Sequence, residues 1–208
     1  VIDSLGVVKK YIKGSIHERP QFLDFPLRTP EDFEKLKSRF DPDDPRRFPA
    51  KWSRNIINTE KVPYPVGVSF RLPFTVTRDL MGLERILINF YREPDFIHEI
   101  FSFWTDYFIK VIKKSFTKVK VKMDFANVGD SIGMRNGPFV SLRIFEEFFI
   151  PYYKRFVNFL REIGTDVIMY SSDGDITVLV SVLLKLGFNC IHHLEKMAGM
   201  DALSLREQ

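Results

Sequence analysis

The 208-residue chain has a single cysteine, Cys190, so no internal disulfide and no all-thiolate metal site can form. Long apolar runs are also missing. The most hydrophobic stretch, "ITVLVSVLLKLGF", falls short of the roughly 20 residues that span a bilayer and contains Lys185. No G-x-G-x-x-G follows a candidate strand, which removes the main signal for a dinucleotide site. P-loop, RNP and zinc-finger spacings do not occur, nor does a compact H-x-C or H-E-x-x-H. The first residues, "VIDSLGVVKKYIKG", lack the charged, apolar, small-residue order of a signal peptide. Together these absences lead us to expect a reduced, cytoplasmic setting with no membrane contact.

What is present is the composition of a globular protein, 45% hydrophobic and 28% charged, with 21 phenylalanines. Net charge is +4, and the densest basic cluster is "KVIKKSFTKVKVK", Lys110 to Lys122. Lysines interleaved with aromatic and β-branched residues suit a nucleic-acid groove. With no supporting motif, they read instead as a solvated helix face running into a strand, and no nucleic-acid partner is expected.

Residues 1–61 are irregular and proline-rich, with one short helix that Thr29 caps, Pro30 opens, and Glu31 and Asp32 favour at its positive end. From Val62 the pattern changes. "VPYPVGVSF" reads as a strand and "TVTRDLMGLERILINFYRE" as one helix, followed by a second helix from Pro94 to about Phe116. "VKVKMDFANV" is the next strand and "GDSIGMRNGPFV" a glycine-rich connection. Ser141 then caps a long helix closed by Gly164. "DVIMYS", "ITVLVSVLLKLG" and "FNCIHHL" continue as strand, helix and strand, and a final helix is under way at Gln208. Nearly continuous apolar strands alternating with helices predict a parallel sheet covered on both faces, either doubly wound or a (β/α)₈ barrel. The missing initial methionine and the ending inside a helix suggest a piece of a longer protein.

In either architecture, function gathers where strands run out into the following helices. The first strand end carries Arg71; the second Asn127, Asp130 and Arg135; the third Ser171, Ser172, Asp173 and Asp175; the fourth His192, His193, Glu195 and Asp201. Asp175 precedes an apolar helix and reads as its N-cap, whereas Gly174 frees Asp173 to face outward. Asp201 would serve equally as a cap or as a ligand. Of His192 and His193, adjacent on a strand, one faces inward. Arg71 and Arg135 suit bidentate binding of carboxylates, or pairing with rim aspartates.

These residues resemble the uroporphyrinogen decarboxylase superfamily, from about Val62 onward. "MYSSDGDITVLVSVLLKLGFNCIHHLEKMAGMD" is similar to its late-barrel segment, with Ser171 to Asp175 at one motif and Leu194, Glu195, Ala198, Gly199, Met200 and Asp201 at another. "PFTVTRDLMG" resembles its Pro-Phe-Thr stretch, and "VSLRIFEEFFIPYYKRFV" its Ser-Pro-x-x-Phe-x-x-Phe-x-x-Pro-Tyr helix. The resemblance implies that residues 62–208 are an incomplete (β/α)₈ barrel. It also implies one of two activities: metal-free decarboxylation of a tetrapyrrole, or methyl transfer from a corrinoid. The zinc-dependent methyltransferases have His and Cys where this chain has Ser171 and Asp173, so no metal ligands are assigned. A zinc-free, pterin-linked type remains as the alternative, with corrinoid and pterin as cofactors and a corrinoid protein as partner.

The decarboxylase reading is preferred, with no cofactor and a tetrapyrrole-like polycarboxylate as substrate. Asp173, Asp130 and Asp79 are its catalytic candidates, Asp79 standing about where a catalytic tyrosine is expected. Arg71, Arg135, Ser172, His192, Glu195 and Asp201 are assigned to substrate binding. A homodimer is permitted by apolar residues such as Phe101, Phe116 and Phe149. A non-catalytic barrel that binds a partner through the lysine-rich helix is the outside reading.

Overall fold

A computed structural model of the chain describes residues 1–11, 20–49, 63–119 and 123–207. Strands β3 (Gly67–Arg71), β4 (Phe125–Gly129), β7 (Val167–Ser171) and β8 (Cys190–His192) form one parallel sheet in the order β3-β4-β7-β8. Its order follows the chain without reversal. A doubly wound sheet reverses direction at a switch point, whereas a barrel adds each strand beside the last. The architecture is thus α/β, with four consecutive strands of a (β/α)₈ barrel.

Helices α2 (Pro73–Met81), α3 (Leu83–Arg92) and α4 (Pro94–Val119) lie between β3 and β4; α5 (Leu142–Phe148) and α6 (Ile150–Glu162) between β4 and β7; α7 (Thr177–Leu186) between β7 and β8. A small antiparallel pair, β1 (Val8–Lys10) and β2 (Gln21–Asp24), precedes the first helix, α1 (Pro30–Lys37). Thr29 caps α1, as its sequence predicts, and Asp32 completes a capping box with it. No helix among the described residues is long and apolar enough to cross a membrane.

Several expectations change. "TVTRDLMGLERILINFYRE" is two helices, because Gly82 takes φ = 88° and turns the chain between them. The helix capped by Ser141 is also interrupted, at Phe149. Pro151 has no N–H to bond back along the helix, and its ring crowds the preceding turn. The stretch "VPYPVGVSF" forms a strand only from Gly67, and "FNCIHHL" only over Cys190–His192. Val62 and residues 120–122 lie outside the described residues.

Among the described residues, helices cover one face of the parallel sheet. Ala126, Val128, Ile168 and Tyr170 point into that layer and are fully buried, whereas Val167 on the opposite face is 41% exposed. On the open face the register places Ser69, Asn127, Met169 and Cys190 in one row, and Arg71, Gly129, Ser171 and His192 in the next. The covered side is a dense aromatic core. Phe90 packs against Phe101, Phe148 and Phe149, and Phe74 against Phe149. Phe101 and Phe149 are therefore core residues, not a dimer surface. Phe116 is half-buried and packs against the same cluster. On α4, Lys110, Lys113 and Lys114 face Pro42, Pro45 and Phe48 across a shallow groove, and Lys114 pairs with Asp43.

Candidate functional site

The C-terminal ends of the four strands surround a cleft of about 440 Å³ lined by Ser69, Arg71, Thr75, Arg78, Asn127, Ser131, Ser171, Asp173 and His193, among others. Strand alternation decides which residues face it. Asn127 and Gly129 on β4, and Met169 and Ser171 on β7, point to the open face, and the next residue of that parity after β7 is Asp173. Residues of opposite parity turn toward the helices. Asp130 and Ser172 belong to that second set.

Asp173 is 73% exposed by its side chain and faces the cleft. Its Oδ2 lies 3.5 Å from Ser131 Oγ, and its Oδ1 lies 3.9 Å from His193 Nδ1. It caps nothing, as the intervening Gly174 leads one to expect. Asp175 does not cap α7 as predicted: the helix starts at Thr177, and Asp175 Oδ1 accepts from the Thr177 N–H at 2.8 Å in the turn before it.

Two guanidinium groups line the same cleft as Asp173. Arg71, from the end of β3, donates through Nη1 to Asp79 Oδ2 at 2.6 Å and is 66% exposed. Arg78 bonds Asp79 Oδ1 at 3.1 Å and the Ser131 carbonyl at 3.0 Å. Asp79 thus sits behind both arginines and holds them at the cleft wall. At the floor, Asn127 Oδ1 is buried without a hydrogen-bond partner among the described residues, an acceptor that a bound N–H or O–H donor would satisfy.

Asp130 is fully buried, on the far side of this wall. Its Oδ1 accepts from the Thr75 N–H at 2.5 Å in the first turn of α2, and its Oδ2 from the Tyr153 hydroxyl at 2.5 Å. Burial pushes its carboxyl up to about 6, against the lowering effect of those hydrogen bonds. Burial likewise raises Tyr153 and Tyr170 well above the usual phenol range. Asp130 therefore ties β4, α2 and α6 together beneath the cleft without lining it. Ser172 is buried too: its Oγ accepts from the N–H groups of Ile132 at 3.1 Å and Gly133 at 3.3 Å, and donates to the Asp173 carbonyl at 2.8 Å. This locks the β4 and β7 connections to one another.

The glycine-rich connection is a hairpin, β5 (Gly133–Met134) and β6 (Gly137–Pro138). Exposed Arg135 at its tip borders a second depression of about 270 Å³, whose wall also includes Asp173 and Glu195. Glu195 Oε2 accepts from the Gly174 N–H at 2.6 Å. Asp201 caps the last helix, α8 (Ala202–Arg206), through the N–H groups of Leu203 and Ser204 at 3.0 Å each, and lines neither hollow. His192 shares the rim row of the sheet but lines neither hollow. His193 lines the cleft instead, its Nδ1 3.1 Å from Ser171 Oγ.

The structure thus brings together Asp173, Arg71 and, behind it, Asp79 at the cleft, with Arg135 and Glu195 beside it. It sets Asp130, Ser172, His192 and Asp201 apart. Arg78 joins the site unannounced, and His193, named at its strand end without an assigned role, takes the place given to His192. Arg78 lies seven residues past β3, one position before Asp79, and the helical turn that brings both back to the strand end was the available signal. Among the described residues, no three His, Cys, Asp or Glu side chains converge as metal ligands would.

Comparison with known proteins follows this geometry. The fold is similar to that of a methyltransferase from Methanosarcina mazei, with a TM-score of 0.62 at 17% sequence identity. The superposition covers 93% of this chain and 54% of the other, so the chain spans about half the length of that structure. No curated protein sequence matches it. The family model described as "Uroporphyrinogen decarboxylase (URO-D)" matches residues 2–204, and the chain belongs to that family.

Proposed function

We propose that this chain supplies the catalytic rim of a barrel enzyme that binds a tetrapyrrole-like polycarboxylate and decarboxylates it without metal or organic cofactor. One observation carries the reading: the exposed carboxylate of Asp173 and the guanidinium groups of Arg71 and Arg78 line the same cleft. Decarboxylation of an acetate side chain on a pyrrole needs an anion to stabilise the protonated ring and cations to hold the remaining carboxylates. Fixed charges aimed at developing charge are the main resource of such catalysis. Arg71 is paired with Asp79 in an exposed setting, where an ion pair is worth little, so a substrate carboxylate can compete for it. Arg135, beside the adjoining depression, offers a further anchor.

Corrinoid-linked methyl transfer is the second reading, and the likeness in fold to a methyltransferase favours it. In that case the exposed Asp173 carboxylate would accept from the amino-pyrimidine edge of a pterin, and a separate corrinoid protein would be the partner.

The test is an absorbance titration of the full-length protein with uroporphyrin and with cobalamin. The decarboxylase reading expects saturable uroporphyrin binding, weakened at least tenfold by Arg71→Gln or Arg135→Gln, and release of CO₂ from the reduced substrate. Cobalamin binding without uroporphyrin binding would replace it with methyl transfer.

A further inference from the structure

The cleft holds one imidazole that none of the family-like motifs contributes. His193 directly follows β8 and takes φ = 63°, the left-handed region that no other non-glycine residue enters among those described. L residues adopt it uncommonly, histidine more readily than most. Leaving the strand this way carries the ring over the end of β7, so that Nδ1 stands between Ser171 Oγ at 3.1 Å and Asp173 Oδ1 at 3.9 Å. The His192 ring packs against it with centroids 4.0 Å apart. The charged groups around the cleft are Asp173 from the β7–α7 turn, Arg71 from β3 and Arg78 from α2, with Asp79 paired to both arginines. No hydrogen bond engages His193 Nε2 among the described residues, and the side chain is 51% exposed. The ring is therefore anchored through one nitrogen and open to a ligand through the other.

We infer that His193 is the proton-transfer residue of this cleft, passing a proton from its free nitrogen to the reacting carbon of the bound polycarboxylate. The inference rests on the decarboxylation reading. In that step the bond between the methylene carbon of an acetate side chain and its carboxylate breaks, and CO₂ leaves. The electron pair passes into the protonated pyrrole ring, the methylene carbon takes the proton of the imidazolium to become a methyl group, and the pyrrole ring gives its own proton back to the imidazole. Atoms and charge balance with no oxidant, reductant or metal. Imidazole suits the task because it exchanges protons near neutral pH, and general acid catalysis of this kind contributes about 10²- to 10⁴-fold. Ser171 holds the ring through Nδ1, and Asp173 lies within ion-pair range of its cationic form.

The test uses the full-length protein with His193→Gly, which accepts the left-handed backbone and leaves a gap the size of the ring, and with His193→Asn, which tolerates that backbone but cannot carry the proton. CO₂ release from uroporphyrinogen and the Kd for uroporphyrin are measured for each, with and without added imidazole. The expected result is a fall in kcat of at least 100-fold in both variants, a Kd within threefold of the parent, and recovery of the glycine variant alone by imidazole. A kcat within threefold of the parent, or a loss that imidazole does not relieve, overturns the assignment to His193 and leaves the decarboxylation reading standing. A parent protein that neither binds uroporphyrin nor releases CO₂ overturns that reading, and the role of His193 with it.

Discussion

The hydroxyl of Tyr153 donates to Oδ2 of Asp130 across 2.5 Å in a fully buried setting, joining α6 to the end of β4. The carboxylate's other oxygen accepts from the Thr75 N–H, so one side chain fixes three elements beneath the cleft. Stability should register this through pH. Burial raises the folded-state pKa of Asp130 from the ordinary 3.8 to about 6. Between those values the folded chain keeps a proton that the unfolded chain releases, so this contribution is fully present below 3.8 and is lost as pH rises through about 6. The size is on the order of 3 kcal/mol, at 1.36 kcal/mol per pKa unit. Urea unfolding of the parent and of Asp130→Asn at pH 4 and pH 7 checks it: the parent should lose stability relative to the variant on going to pH 7.

Ser172→Ala should weaken the fold and not the chemistry. It removes the acceptor shared by the N–H groups of Ile132 and Gly133, leaving at least one of them buried and unpaired. Such a loss costs about 1–3 kcal/mol. Thermal unfolding should show the drop, while kcat measured well below the midpoint stays within a few-fold.

Asp173→Asn should show the converse. Its side chain is 73% exposed and supports no element of the fold, so the melting temperature should not move measurably. Turnover of uroporphyrinogen should fall at least 100-fold, by the loss of charge in the cleft that the arginines also line. Unchanged turnover would reduce Asp173 to a surface residue.

Gly174→Ala addresses the wall shared by the two hollows. Gly174 has φ = 74°, and a Cβ there would lie 2.4 Å from the carbonyl carbon of Gly133 and 2.6 Å from the Met134 nitrogen. Both are backbone atoms, so the hairpin must move. A loss of about 2 kcal/mol or more in stability and a weakened uroporphyrin Kd are expected together, since left-handed strain adds about 1 kcal/mol to the clash.

Much of this was legible without coordinates. Alternating elements, the Thr29 cap and the helix-ending glycines Gly164 and Gly187 follow from local rules, because each depends on contacts within a few residues. The exposed position of Asp173 was legible for the same reason, since Gly174 separates it from the helix. Strand parity was also in the sequence: counted from the apolar pairs Ala126–Val128 and Ile168–Tyr170, it would have turned Asp130 and Ser172 inward to the helices and Asp173 to the cleft. Reading all carboxylates of a strand end as one rim missed it.

The remainder belongs to tertiary structure. Whether a guanidinium near a strand end reaches the cleft depends on where α2 returns, which brings Arg78 in and puts Asp79 behind it. Which of two adjacent histidines faces a ligand depends on where β8 ends. Pairing with β7 stops at His192, and the next residue turns left-handed and carries its ring back over Ser171. The sequence by itself determined the alternation of strands and helices and the resemblance to the family, because periodicity, caps and motifs are local signals, whereas the element boundaries and the strand order came from the packed sheet. Only the packed structure decided which polar groups meet, because burial and distance are set by residues far apart along the chain.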